Sequence, residues 1–419
     1  MKNSSPLLRW TIWVLAAVFY FYEFVLRVSP SVMVPELMTS FGITASAVGF
    51  LSACYLYAYA PMQLPVGILM DRYGIKKVLS SASLLCGLGA LLFAFAHHLI
   101  SASIGRFLIG AGSSFAFIAM IYISSHWFPV KTRAFLIGMA NSIAMLGASA
   151  GGGPLTMIIH QIGWRTTIGL FGIFGVLLGI LVYFIFRSDR HNEEVERETA
   201  HIKSHLFESL KQVASQKNSW INALAALFFY MTTTGFAGLW GLSFVQTAYG
   251  VSKEIAGYAM SMVFLGWLVG GPLMGLLSDR MGKRTTAIRI GILGALVCLI
   301  PVIYSPGISI YVVYGLLFLV GFFSSAELLN FSLAIELNSM KAKATAAAFT
   351  NFIISCGDAV VQPFIGFLLD RNWGGSFEQG VRVYATSDYQ IALSCLPLTL
   401  LIAFLLLFFM KKAPSHKEV

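Results

Sequence analysis

About twelve apolar runs, each close to twenty residues long, follow one another along this 419-residue chain. A helix needs roughly 20 residues to cross a hydrocarbon core of ~30 Å, so each run is long enough for one membrane crossing. Hydrophobic residues make up 57% of the sequence and charged residues 11%, a balance that a soluble core could not hide from water. The sequence therefore predicts an all-α integral membrane protein with 12 transmembrane helices. The expected spans are 10–34, 45–70, 78–98, 100–126, 136–158, 164–187, 218–248, 254–278, 286–305, 309–337, 345–369 and 388–410.

A short motif occurs twice, and each copy follows one of the apolar runs. The first copy reads GILMDRYGIKK and the second reads GLLSDRMGKR. A repeat at this distance indicates that the chain carries two copies of one unit, here six helices each. The repeated positions are Gly67, Asp71, Arg72 and Gly74 in the first copy and Gly275, Asp279, Arg280 and Gly282 in the second.

This repeated motif resembles G-x-L-x-D-R-x-G-x-(K/R)-(K/R), which closes the second and eighth helices in the major facilitator superfamily. Gly105–Phe117, which contains Arg106, resembles the superfamily's helix-four motif, and Gly147–Pro154 resembles its helix-five glycine-proline motif. The resemblance extends over nearly the whole chain. It implies the superfamily's fold of two six-helix repeats, secondary transport, and a gating role for the eight repeated residues, whose Asp and Arg side chains would form paired locks on the cytoplasmic side.

The distribution of Lys and Arg predicts the orientation of the chain in the membrane. Most of these residues fall at one set of helix ends, which places both termini and the repeated motif in the cytoplasm. We attribute the net charge of +10 to this orientation of the chain and infer no nucleic-acid partner from it. We expect a multi-pass protein of a bacterial-type inner membrane.

The longest polar stretch divides the chain into two halves. We expect an N-terminal six-helix bundle over 1–187, a cytoplasmic linker over 188–217 and a C-terminal six-helix bundle over 218–419. Leu206, Leu210 and Val213 could mark one face of a short amphipathic helix within the linker. Two roles remain open for it, a tether that lets the halves rock and a regulatory segment.

Charged residues inside the predicted spans are the first candidates for a site, because each costs about 2.5–3.5 kcal/mol at the centre of a bilayer. Glu23 and Arg27 lie four residues apart, so they share one helix face and can pair, either as a structural salt bridge or as part of a cavity wall. Arg106 could serve proton coupling or packing. We expect proton coupling by Glu23, Arg106 and Asp358.

Substrate contacts are expected on helices one, seven and ten, which the resemblance places around the central cavity. Trp240 has two open roles, a gate or stacking surface and an anchor in the outer membrane interface. Asn330 lies almost one turn after Glu327, which gives an acceptor and an amide on one face. The predicted substrate-binding residues are Tyr22, Arg27, Trp240, Glu327 and Asn330.

Secondary active transport by alternating access is the predicted function, with the lipid bilayer, protons and a small molecule as partners of a monomer. No P-loop, zinc spacing or nucleophile elbow is present, so we expect neither an enzyme nor a cofactor or metal. The mixed signs of the intramembrane charges suit a zwitterion, held by Arg27 and Glu327, and favour proton-coupled uptake of an amino acid or short peptide. The alternatives are transport of an organic anion (a sugar acid, sugar phosphate or carboxylate siderophore), drug/proton antiport and, last, a membrane receptor.

Overall fold

The structure is a computed structural model that describes residues 6–63, 65–186, 208–339, 342–378 and 380–410. Within these ranges, eleven helices are long and apolar enough to cross a membrane. A twelfth crossing, Ala45–Met62, passes the same test together with the short helix Val34–Phe41, from which it is bent by 108°. The predicted all-α architecture is thus confirmed. The described β-structure is one antiparallel pair of two-residue strands, Phe377–Glu378 and Val381–Arg382.

The twelve spans are numbered in chain order, and several of them are interrupted. Spans 1–6 form the first half of the molecule and spans 7–12 the second half. In the first half the bounds are: span 1, Pro6–Val28 with the 3-10 turn Ser29–Val32; span 2, Ala45–Met62, continued at the start of Val66–Ala94; span 3, the rest of Val66–Ala94; span 4, Leu99–Ser113 and Ala116–Trp127; span 5, Val130–Ala150 and Gly153–Ile162; and span 6, Trp164–Ile185. In the second half they are: span 7, Lys217–Thr232, Thr233–Trp240 and Gly241–Tyr249; span 8, Lys253–Met281; span 9, Arg284–Tyr304; span 10, Ile310–Ser324, the 3-10 turn Ser325–Leu328 and Leu329–Leu337; span 11, Lys343–Asn372; and span 12, Thr386–Leu393 and Cys395–Leu406.

Spans 2 and 3 join at Gly74, inside the repeated motif. The backbone of Gly74 has φ 76° and ψ 156°, a conformation that side chains other than glycine rarely adopt. The chain therefore reverses at Gly74 without a long loop. We call the side of the bundle that carries both copies of the motif the motif face, and the other side the opposite face.

Part of the predicted linker packs on the second half. Residues 208–215 form a helix in which Val213 is fully buried against Ala223, Ala334 and Phe349, and Leu210 packs at the edge of this cluster. Residues 188–207 of the linker, with Leu206, lie outside the described ranges. The helix ties the end of the linker to spans 7, 10 and 11 at the motif face.

The two halves meet closely along spans 2 and 11 near the opposite face. A Cβ atom on Gly366 would lie 2.5 Å from the carbonyl oxygen of Ala45, and one on Gly49 would lie 2.6 Å from that of Gln362. Only glycine permits this separation, as is usual where membrane helices pack closely. The seam leaves no room for a substrate to pass between spans 2 and 11 in this state.

Asp370, at the end of span 11, caps the first turn of span 2 in the other half. Its Oδ2 accepts a hydrogen bond from the backbone N–H of Ser46 at 2.8 Å and another from the Ser46 hydroxyl. Its Oδ1 accepts from the Tyr384 hydroxyl at 2.5 Å and from Arg382 at 3.2 Å. Thr44, the residue before span 2, provides no side-chain cap of its own. An ion pair between the halves, Lys253 with Glu36, lies on the same face.

We predict that Asp370→Asn opens the opposite face more often. The amide loses the charge that favours a helix N-terminus, and a lost cap costs about 0.5–2 kcal/mol, so the open population should rise roughly two- to thirtyfold. The measurement is the distance distribution between spin labels placed at Thr39 and Gly374, both exposed on this face, with the native cysteines replaced.

Asp388→Asn is the matched control, because Asp388 caps span 12 from within its own half by accepting from Ala385 N at 2.8 Å. It should lower thermal stability without changing the label distance. Equal distance changes in the two variants would contradict a latch between the halves.

Candidate functional site

A cavity of about 360 Å³ lies between the two halves, on the motif-face side of the seam. Eight spans contribute to its wall, four from each half, and the residues include aromatic, amide, hydroxyl and charged side chains. A smaller cavity adjoins it towards the opposite face and shares Phe24, Arg27 and Tyr230 with it. The larger cavity is lined by Tyr20, Phe24, Arg27, Tyr59, Phe117, Asn141, Met145, Tyr230, Trp267, Glu327, Leu328, Phe331, Ala347, Asn351, Ile354, Ser355 and Asp358.

Arg27 places a positive charge in the wall of this cavity. Its guanidinium carbon lies 5.1 Å from the ring centre of Tyr59, 5.4 Å from that of Phe24 and 5.8 Å from that of Tyr55. Such contacts stabilise a cation by about 0.5–2 kcal/mol each. Its side chain remains 14% exposed, so one side of the guanidinium faces the cavity.

The nearest carboxylate to Arg27 comes from the other half. Nη2 of Arg27 lies 3.8 Å from Oδ2 of Asp358 on span 11, too far for a hydrogen bond. Oδ1 of Asp358 instead accepts from the hydroxyl of Thr234 at 2.7 Å. The Arg27–Asp358 pair therefore bridges the halves loosely, with the guanidinium still able to take a better acceptor.

The expected pairing of Glu23 with Arg27 is not seen among the described residues. The four-residue spacing does bring both side chains to one region, but Glu23 Oε1 accepts from the Tyr55 hydroxyl at 2.5 Å. Its Oε2 is buried without a hydrogen-bond partner. Arg27 turns towards Asp358 because span 11 supplies a carboxylate that the sequence of span 1 cannot reveal.

Arg106 holds the end of the helical part of span 1. Nη1 donates to the carbonyl oxygen of Leu26 at 2.8 Å and Nη2 to that of Arg27 at 3.3 Å. These carbonyls lie where the helix changes to the 3-10 turn Ser29–Val32. The usual donor to the Leu26 carbonyl would be the N–H of residue 30, which Pro30 lacks, and the Ser29 hydroxyl also donates to it at 2.9 Å. Arg106, 1% exposed, thus positions the backbone of Arg27. Proton coupling by Arg106 stays a prediction.

Glu327 lines the cavity, and Asn330 supports it from behind. Glu327 lies in the 3-10 turn of span 10, and Asn330 Nδ2 donates to its backbone carbonyl oxygen at 3.0 Å. The carbonyl oxygen of Asn330 accepts in turn from Asn222 at 2.9 Å. Asn330 is fully buried and is not among the lining residues, so the structure gives it a supporting position instead of the expected substrate contact.

Trp240 and Tyr22 lie away from both cavities. Trp240 is fully buried, and its Nε1 donates to the carbonyl oxygen of Gln362 at 2.9 Å; it neither faces the cavity nor lies in the outer membrane interface. Tyr22 packs between Phe171 and Phe174 of span 6. The cavity face of span 1 carries Tyr20, Phe24 and Arg27 instead, at the three- and four-residue spacing of one helix face, a signal that the sequence did contain.

The motif residues form no pairs between the halves among the described side chains. In the second copy Asp279 Oδ1 accepts from Arg284 at 2.7 Å, and Arg284 also bonds to Glu336 at 3.0 Å. Arg280 is exposed. In the first copy Arg72 is exposed beside Tyr73, and the side chain of Asp71 lies outside the described part of the structure. The expected locks between the halves stay a prediction for another conformation.

The remaining motif residues have simple structural roles. Gly282 ends span 8 with φ 63°, as a glycine at a helix C-terminus often does. A Cβ on Gly67 or Gly275 would meet no atom within 4 Å. These two glycines therefore face open space in this conformation.

Comparison with known proteins now decides the family. The family model of the Major Facilitator Superfamily matches residues 12–361 and 223–419, which together cover almost the whole chain. The chain belongs to the major facilitator superfamily. The resemblance read from the repeated motif is confirmed, and the protein is a multi-pass membrane protein of the transporter type.

Solved structures show the same fold. A bacterial homologue of the human lysosomal transporter Spinster, in an inward-facing and unoccupied conformation, aligns with a TM-score of 0.79 at 17% identity, covering 97% of this chain and 98% of the other. A D-xylose–proton symporter aligns with a TM-score of 0.75 at 17% identity, covering 97% and 99%. At these identities the likeness establishes the facilitator fold alone.

Sequence relatives lie among named transporters. A probable sulfoacetate transporter of Cupriavidus necator is 26% identical over 86% of each chain. A hexuronate transporter of Bacillus subtilis is 26% identical over 62% of each chain. A probable L-galactonate transporter of Escherichia coli is 23% identical over 61% of this facilitator and 58% of its own length.

We predict that Arg106→Gln loosens the end of span 1 while the bundle still folds. Two buried carbonyls lose a charged donor, which costs about 1–3 kcal/mol, so hydrogen–deuterium exchange over residues 29–33 should accelerate roughly 5- to 150-fold.

Arg165→Gln is the control for this substitution, because Arg165 also donates to two carbonyls, those of Ala94 at 2.8 Å and Ala96 at 2.6 Å. It should accelerate exchange near residue 96 and leave residues 29–33 unchanged. Unchanged exchange at 29–33 in Arg106→Gln would exclude the positioning role.

Proposed function

We propose that this facilitator carries a small organic anion, a carboxylate or sulfonate, across the membrane by alternating access. The observation on which the proposal rests is Arg27, a cavity-lining cation whose nearest carboxylate is 3.8 Å away. A guanidinium binds carboxylate and similar oxyanions with two parallel hydrogen bonds. The aromatic rings around Arg27 fix its orientation beside the cavity.

The names of the relatives support the same class of substrate. Sulfoacetate, hexuronate and L-galactonate all carry a carboxylate, and sulfoacetate carries a sulfonate as well. This support favours an organic anion over the amino acid or short peptide that the mixed charges of the sequence first suggested. A zwitterion keeps one observation in its favour, since Arg27 and Glu327 line the same cavity.

Uptake driven by protons fits the contact between Arg27 and Asp358. A substrate anion that binds Arg27 competes with Asp358 for the guanidinium. Asp358 is fully buried, and a buried carboxylate without its cation is costly unless it takes up a proton. Substrate and proton would then load together, and the bridge between the halves would be released in the same step.

The cations of the motif face support a cytoplasmic orientation of that face. Lys76, Lys77, Lys283 and Arg284 lie there, and such an excess favours the cytoplasm by the positive-inside rule. The seam at the opposite face would then close the cavity from the outside of a bacterial-type inner membrane. One chain encloses the whole cavity, so a monomer suffices for transport.

We predict that a thermal-shift screen in detergent finds stabilisation by organic acids such as glucuronate, galactonate or sulfoacetate, and little by neutral sugars. Arg27→Gln should weaken binding by about 2–5 kcal/mol, because the substrate anion is left without its charged partner. That corresponds to a loss of roughly thirtyfold or more in affinity.

The control for this variant is Arg289→Gln, which removes a membrane arginine that donates to Leu407 O away from the cavity. It should keep the wild-type affinity. Stabilisation by amino acids or dipeptides, with no response to any organic acid, would replace the anion by a zwitterion as the substrate.

We predict that Asp358→Asn abolishes uptake driven by a pH gradient but allows exchange of substrate between loaded proteoliposomes, because exchange needs no net proton movement. Glu23→Gln serves as the comparison, since Glu23 bonds to Tyr55 and not to Arg27. If Glu23→Gln alone gives this phenotype, the coupling carboxylate is Glu23 and the Asp358 step is wrong.

A further inference from the structure

Glu327 carries a buried carboxylate at the cavity wall, and one of its oxygens has no hydrogen-bond partner among the residues that the structure describes. The residue is 3% exposed, lines the cavity, and has a buried Oε1 without any hydrogen-bond partner. The 3-10 turn that carries it is tied down through its backbone by Asn330 and Asn222. The turn is thus held in place by groups other than the Glu327 carboxylate.

Glu23 and Asp358 differ from Glu327 in that one oxygen of each accepts a side-chain hydrogen bond, although Glu23 Oε2 and Asp358 Oδ2 are also buried without a hydrogen-bond partner in the described part of the chain. Glu23 accepts from Tyr55, and Asp358 accepts from Thr234 while facing Arg27. A buried polar atom without a partner is destabilising. A ligand that donates a hydrogen bond to Glu327 Oε1 would remove this cost. Glu327 is therefore well placed to accept a hydrogen bond from a substrate in the cavity.

We propose that Glu327 is a specificity residue that accepts a hydrogen bond from a hydroxyl group of the substrate, away from the anionic end bound by Arg27. The proposal rests on the proposed function and narrows its substrate class to hydroxylated organic acids. Arg27 lies in the first half and Glu327 in the second, so one substrate would contact both halves.

The rest of the wall suits a hydroxylated chain. Asn141, Asn351 and Ser355 line the same cavity as Glu327, together with the tyrosines. Their amide and hydroxyl groups both donate and accept, as does each hydroxyl of a sugar acid. Asn351 Nδ2 already donates to Gln63 Oε1 at 2.9 Å, but an unsubstituted fatty or dicarboxylic acid would offer the wall no hydrogen-bonding group along its chain. Sites built to bind a hydroxyl discriminate strongly against the analogue that lacks it.

The test compares ligands of equal length and charge. Galactarate and adipate are both six-carbon dicarboxylates and differ only in the hydroxyl groups. Dissociation constants for purified wild type should favour galactarate by at least about a hundredfold. Glu327→Gln should reduce this ratio about tenfold, because an amide oxygen accepts a hydrogen bond more weakly than a carboxylate oxygen does, and Glu327→Met, which removes the acceptor, should reduce it further while adipate binding changes little.

Glu336→Gln is the matched control, a carboxylate of the same span that bonds to Arg284 outside the cavity. It should keep the wild-type ratio. If Glu327→Met does not fold, the ratio in Glu327→Gln decides alone: an unchanged ratio there overturns the proposal.

Further outcomes separate this inference from the proposed function. Equal binding of galactarate and adipate to wild type overturns the role of Glu327 and leaves anion transport intact, whereas failure of every organic acid to bind removes both. A second pair, glutamate and 2-hydroxyglutarate, distinguishes an ammonium donor from a hydroxyl. Binding of glutamate alone would show that Glu327 holds an ammonium and overturn the hydroxyl assignment.

Discussion

A guanidinium inside an apolar bundle needs negative charge or π electrons around it, and this requirement organises the centre of the structure. Arg27 meets it with three aromatic rings and with Asp358 from the other half. Arg106 then holds the backbone beneath Arg27, and Tyr55 contacts both guanidinium groups as well as Glu23. The site is therefore one network in which moving Arg27 affects both halves.

The contacts between the halves differ in kind at the two levels of the bundle. Near the opposite face they are short and specific, with glycines that let spans 2 and 11 touch and Asp370 capping a helix of the other half. At the cavity the halves are joined by the long Arg27–Asp358 ion pair and by a hydrogen bond from Asn351 to Gln63 at 2.9 Å. A closed seam at the opposite face, next to a cavity whose ion pair is too long for a hydrogen bond, is an arrangement in which ligand binding can change the balance between conformations.

Local patterns in the sequence predicted the parts of the site that one helix defines. Arg27, Glu327 and Asp358 were predicted as site residues because a charged residue in an apolar run is energetically costly. All three line the cavity. Tyr22 lies on another face of the helix, beside Phe171 and Phe174, and the spacing of Tyr20, Phe24 and Arg27 indicates the face that lines the cavity. Trp240 was assigned by residue type alone, and its burial depends on span 11, which lies more than one hundred residues away in the chain.

The sequence by itself determined the membrane environment, the helix count and the twofold repeat, because these depend on run length, hydrophobicity and a motif that each segment carries internally. Tertiary structure alone decided which partner each buried charge takes. Glu23 and Arg27 share a helix face, yet one bonds to span 2 and the other faces span 11. Likewise Asp370 caps a helix of the other half. The partner of each buried charge depends on which groups, far apart in the sequence, are brought within a few ångströms by packing. No local sequence pattern encodes that distance.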